Sequence, residues 1–102
     1  MAYYTQTAIL DRVIVVKDRE IDAANASQLG TELRAEITLA NGGRVIVDMS
    51  GVSFIDSQTL RMMDDVERFA DANQSTILWR GLQEQAERVL EVTGRRSSIR
   101  VE

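Results

Sequence analysis

The sequence predicts an α/β fold of the ββαβαβαβ order: a mixed, mostly parallel sheet of about five strands with helices packed on it. Three observations predict it. The apolar period changes repeatedly, from short β-branched runs such as Val13-Ile14-Val15-Val16 to stripes at three- and four-residue steps. Strand-like and helix-like segments alternate after the opening pair, and alternation requires crossover connections, which favour parallel pairing. Val45-Ile46-Val47 is apolar without interruption, as in a strand covered on both faces.

The elements follow in order. Residues 4–10 and 13–16, separated by Asp11-Arg12, read as an antiparallel pair. From Asp22 onward, Ala26, Leu29, Leu33, Ile37 and Ala40 form the stripe of an amphipathic helix, with Asp22 as its cap and Asn41-Gly42-Gly43 as its end. Val45-Ile46-Val47 is the expected centre of the sheet. After Val52-Ser53-Phe54-Ile55 the chain reaches Asp56-Ser57, and Leu60, Met63, Val66 and Ala70 mark a second helix starting at Ser57. Residues 75–79 form a fourth strand. A third helix covers 82–92, with Leu82, Ala86, Val89 and Leu90 inward and Gly94 as its stop, and 98–101 form a last strand.

The totals bound the function. A chain of 102 residues holds one core, so residues 1–102 read as a single domain. With 44% apolar and 27% charged residues the composition is that of a globular protein, and no apolar run approaches the roughly 18 residues that span a bilayer. The start, MAYYTQTAIL, has no secretory pattern, so a cytoplasmic location is expected, without membrane insertion. Histidine and cysteine are absent, which removes thiol nucleophiles, Cys/His zinc sites and the usual near-neutral proton shuttle. The net charge of −4 opposes nucleic-acid binding. No cofactor, metal ligand set or glycine-rich phosphate loop is recognised. Lys17 is the sole lysine, with no sequence reason to approach Ser57, so an enzyme using Ser57 lacks an evident base.

Three stretches resemble one family. Arg19-Glu20-Ile21-Asp22 is similar to a Gly-Glu-Leu-Asp segment; residues 45–52 followed by Phe54-Ile55-Asp56-Ser57 are similar to a central signature; Leu90-Glu91-Val92-Thr93-Gly94 is similar to Leu-x-x-Thr-Gly. These are features of STAS domains, found in anti-sigma factor antagonists and in cytoplasmic parts of some anion transporters. The resemblance implies a bacterial regulator that is not an enzyme. Its partner would be an anti-sigma factor of the serine-kinase type, and Ser57 would be the phosphoacceptor. An alternative is a constitutive STAS subunit of a transporter, such as one supporting the ATPase of a lipid importer, without phosphorylation.

Two readings of Ser57 stand side by side. As an N-cap it would stabilise its helix by about 1 kcal/mol. As a phosphoserine it would carry roughly −1.5 to −2 charges at a helix N-terminus, and would act on binding rather than folding. Converting almost full binding to almost full release takes about 5.5 kcal/mol, which requires Ser57 near the centre of a contact. The expected partner surface is Asp22, Asn25, Asp56, Ser57, Gln58, Thr59 and Met62. Where antagonists read Asp-Ser-Ser-Gly-Leu, this chain reads Asp56-Ser57-Gln58-Thr59-Leu60, and Thr59 is expected to face solvent and narrow the partner's approach. Asp64, Asp65, Glu67 and Asp71 read as a solvated acidic face, Arg88, Arg95, Arg96 and Arg100 as charges complementing a helix end, and Trp79, Met62, Met63 and Phe69 as core, an exposed Met62 alone suiting a protein-binding surface.

Overall fold

The computed structural model describes residues 11–102. Within them the elements are β1 (Arg12–Val15), β2 (Glu20–Ile21), α1 (Ala26–Ala40), β3 (Arg44–Asp48), β4 (Phe54–Ile55), α2 (Ser57–Ala72), β5 (Thr76–Arg80) and α3 (Glu84–Val92). The strand expected over residues 4–10 lies outside the described residues.

β3 runs between β1 and β5, parallel to both, with Val13 opposite Ile46 and Ile46 opposite Leu78. Flanked on both edges and covered on both faces, Val45, Ile46 and Val47 are buried, as their unbroken apolar run requires. β2 and β4 form a second parallel pair, Ile21 opposite Ile55. They continue the line of β1 and β3 past a break: the Val16 N–H donates to the Asp48 carbonyl at 3.1 Å and the Ser53 N–H to the Arg19 carbonyl at 2.7 Å. At that break Asp48 Oδ1 accepts the Ser50 N–H at 2.9 Å, folding residues 48–51 into a tight turn. The Ser50 hydroxyl and N–H hold the Asp48 carboxyl below its usual range. The signature segment is thus a turn that redirects the chain from β3 to β4.

α1 and α2 pack on each other, α1 against β3 and α2 against β5, while α3 lies against β4. Ala26, Leu29, Leu33 and Ile37 of α1 and Leu60, Met63, Val66 and Ala70 of α2 are buried with Trp79 in one cluster. Each large aliphatic side chain so buried contributes about 1.5–3 kcal/mol. α1 ends as its composition demands, Asn41 adopting the left-handed φ of 49°. α3 starts at Glu84 after Gln83, two residues later than expected; its Ala86 and Leu90 are buried, its Val89 and the preceding Leu82 pack partly on the cluster, and Gly94 follows with φ 73°.

Three expectations are corrected. α1 starts at Ala26 with Asn25 before it, not with Asp22 as its cap. Asp22 instead builds the preceding turn: its Oδ1 accepts the Ala24 N–H at 2.9 Å, and its carbonyl accepts from Asn25 and Ala26. The last strand shrinks to one parallel bridge, Val101 with Trp79. The N–H groups of Ser98 and Ile99 are spent on the Arg95 carbonyl, at 3.0 and 2.9 Å, in a turn that displaces extended backbone. Glu67 leaves the acidic face, being 6% exposed. Its Oε2 accepts from Trp79 Nε1 at 3.1 Å and from the Arg100 N–H at 2.8 Å. Burial pushes its carboxyl up, against the lowering pull of the Arg100 N–H and the Trp79 indole. Asp64 and Asp71 meet Arg95 and Arg100, at 3.0 and 3.4 Å, and Glu84 meets Arg88 at 3.1 Å, so three of the four arginines expected to complement a helix end serve side-chain pairs.

Candidate docking end at the start of helix two

The geometry of this end begins with β4, whose edge is completed by a side chain. The amide of Gln85, on α3, accepts the Ile55 N–H and donates to the Ile55 carbonyl, both at 2.9 Å, as a neighbouring strand would. Ile55 is thereby held one residue before the helix start. A glutamine on the polar side of a short helix carries no sequence signal for that role.

Asp56 is the N-cap of α2, not Ser57. Its Oδ1 accepts the Thr59 N–H at 3.0 Å, and the Asp56 N–H donates to Thr59 Oγ1 at 3.4 Å, a capping box with threonine in the place usually held by glutamate or glutamine. Desolvation raises the Asp56 carboxyl, but the N–H and hydroxyl of Thr59, with the N–H groups of Gln58 and Ala23, outweigh it and hold the group below its usual range.

With the cap supplied by Asp56, Ser57 is the first helical residue and exposed, and its hydroxyl has no hydrogen-bond partner among the described residues. Gln58 is exposed beside it. Thr59 corrects the expectation that it faces solvent: it is fully buried, and its hydroxyl donates to the Ile21 carbonyl at 2.7 Å. Its position was legible, because Thr59 lies on the apolar stripe four residues before Met63 and seven before Val66. The threonine therefore occupies space inside the fold and leaves the approach to Ser57 open. Met62, read as core and also placed in the partner surface, is buried at 6% exposure, as the first of those readings has it.

The Thr59–Ile21 bond brings the end of β2 to the start of α2, and with it the residues of the first turn. Asn25 Oδ1 accepts the Asp22 N–H, and Asn25 Nδ2 donates to the Glu20 carbonyl, both at 2.9 Å. Asp22, Asn25, Asp56, Ser57 and Gln58 are thus gathered at one end of the molecule, the first three half-buried and tied to backbone, the last two exposed. Arg19, where the resemblance has glycine, has no positive φ; its carbonyl accepts the Ser53 N–H and hydroxyl while its side chain is exposed.

The fold is a parallel α/β domain whose second helix is capped by Asp56 and presents Ser57 at its exposed first turn. The chain belongs to the STAS family, whose domain model matches residues 4–102. Solved structures share the fold. A Thermotoga maritima protein assigned as an anti-sigma factor antagonist superposes with a TM-score of 0.74 at 19% identity, covering 91% of this chain and 80% of that one. The anti-sigma factor antagonist SpoIIAA in its unphosphorylated form gives 0.70 at 18% identity, with 88% and 77% covered; the phosphorylated form of the Bacillus protein gives 0.63 at 16%, with 88% and 80% covered. The murine anion transporter Slc26a9 gives 0.71 at 17%, over 80% of this chain and 13% of that one. No helix among the described residues is long and apolar enough to cross a membrane.

Proposed function

We infer that the chain is an anti-sigma factor antagonist, which binds an anti-sigma factor of the serine-kinase type through the Asp56-Ser57 end and is released when Ser57 is phosphorylated. The observation that carries this reading is the division of labour at the helix start. Asp56 does the capping, so Ser57 is free to meet a partner and to be modified without unfolding α2. In the transfer, Ser57 Oγ attacks the γ-phosphorus of the kinase's ATP, ADP leaves and the hydroxyl proton passes to a base on the kinase. The product dianion stands at backbone N–H groups that favour it, beside an ionised Asp56 and within the contact, where it opposes an acidic or apolar partner surface. The existence of SpoIIAA structures in both phosphorylation states agrees with this reading. On this reading the chain acts as a regulator, the substrate of a kinase rather than a catalyst itself.

Incubation with the purified kinase and ATP is expected to add one phosphate to the intact protein, seen by mass spectrometry, and none to Ser57→Ala. A shift that persists in Ser57→Ala would sink the assignment. The likeness to the Slc26a9 transporter favours a second reading, a constitutive STAS module of a transporter complex docking through the same end without phosphate transfer. Stable co-purification with an ATPase that leaves Ser57 unmodified would select it.

A further inference from the structure

Beside Ser57, α1 and α2 leave a groove of about 290 Å³ whose lining includes Gly30, Met62, Gln58, Arg34, Arg61 and Asp65. Glycine within a helix costs about 1 kcal/mol relative to alanine. At Gly30 the reason is packing: a Cβ there would stand 2.9 Å from Met62 Cγ. The two helices therefore meet at a low floor, above which the polar walls stand open.

The charge of those walls is unusual for this chain. The protein carries eleven arginines and a net charge of −4. Seven of the arginines are paired with carboxylates among the described residues. Arg34 and Arg61 are not among those pairs, yet they line the same groove from different helices; Arg34 donates only to Thr31 Oγ1, at 3.3 Å. The lining carboxylate, Asp65, is tied to Arg68. Residues 1–10 contain no acid that could neutralise the pair. Two guanidinium groups have been left uncompensated beside the helix start in an otherwise acidic molecule.

We propose that the groove receives an aspartate or glutamate side chain of the protein partner, with Arg34 and Arg61 closing on its carboxylate from two sides. The inference rests on the reading that this end docks a protein, and it names the chemistry the partner must present. Guanidinium forks match a carboxylate bidentately, and arginine is enriched among the residues that dominate interface energy. The space admits one protruding side chain over the Gly30–Met62 floor. Because Arg61 lies one helical turn after Ser57, the acidic side chain would sit next to the serine.

The test is calorimetric titration of a purified serine-kinase anti-sigma factor from the same genome into the wild-type chain and its variants. Arg34→Gln and Arg61→Gln are each expected to weaken binding at least tenfold, and Arg34→Lys less. Arg96→Gln, an exposed arginine outside the groove, is expected to match wild type. Ser57→Trp should abolish docking independently of the groove. Wild-type affinity in both glutamine variants, with docking lost in Ser57→Trp, would overturn the carboxylate inference and leave the docking reading standing. Absence of binding by the wild type would overturn the docking reading and this inference with it. Inorganic phosphate that bound wild type but not Arg34→Gln, with partner affinity unchanged, would assign the groove to a small anion and also overturn it. Melting curves of all variants confirm the fold.

Discussion

Thr59 and Glu67 are both buried on α2, about two turns apart, and each fastens the helix to a different part of the chain. Thr59 reaches the Ile21 carbonyl and so secures the docking end. Glu67 reaches the Trp79 indole and the Arg100 N–H and so secures the C-terminal segment at the far end. The first tie is a neutral hydroxyl, working with an Asp56 carboxylate whose ionised form the fold favours. The second is a carboxylate whose ionised form the fold disfavours. The two ends of one helix therefore respond to pH with opposite sign.

The largest expected effect comes from removing the far tie. Glu67→Ala leaves the Trp79 indole N–H and the Arg100 N–H without their acceptor, and urea denaturation is expected to show a loss of about 3 kcal/mol. A loss below 1 kcal/mol would mean that water or rearrangement replaces the carboxylate. Next comes the near tie: Thr59→Val keeps the shape and removes the hydroxyl, stranding the Ile21 carbonyl and half of the capping box, for about 1–2 kcal/mol. Equal losses in the two variants would erase the distinction between a charged and a neutral tie.

The pH dependence sharpens the same contrast with smaller effects. The Asp56 carboxyl titrates in the folded protein below its unfolded value, so its contribution is present above about pH 4 and is lost as pH falls through the folded value. Asp56→Asn, which keeps a good cap, is expected to cost a few tenths of a kcal/mol at neutral pH and to flatten the acid limb of stability. Glu67 titrates above its unfolded value, so its contribution is complete below about pH 4 and declines as pH rises through the folded value. Glu67→Gln retains an acceptor, and is expected to equal or exceed wild type at neutral pH while removing that decline. Melting temperatures measured from pH 3 to 8 would show whether the two slopes are opposed.

The elements that were legible in the sequence are those decided by local pattern. The continuous Val45-Ile46-Val47 run located the central strand, and the stripes of α1 and α2 located the helices and their buried faces. The end of α1 followed from Asn41, and the helix start at Ser57 from the change of period. What escaped depended on partners distant in the chain. Glu67 reads as part of an acidic face until Trp79 and Arg100 are brought to it. Gln85 reads as an ordinary helical residue until Ile55 presents its backbone. At residues 98–101 the turn built on the Arg95 carbonyl overrode a β-branched pattern. Thr59 is a different case: its spacing put it on the apolar stripe, and the polarity of its hydroxyl outweighed that signal although one carbonyl satisfies it.

The inward placement of Thr59 also separates two kinds of change within three consecutive residues. Ser57 and Gln58 are open to solvent, whereas Thr59 is enclosed by the core, so the proposed partner would meet the first two and not the threonine methyl. On the proposed function, drift at 59 would tune how long the protein survives without altering what it binds, and drift at 57 and 58 would do the reverse.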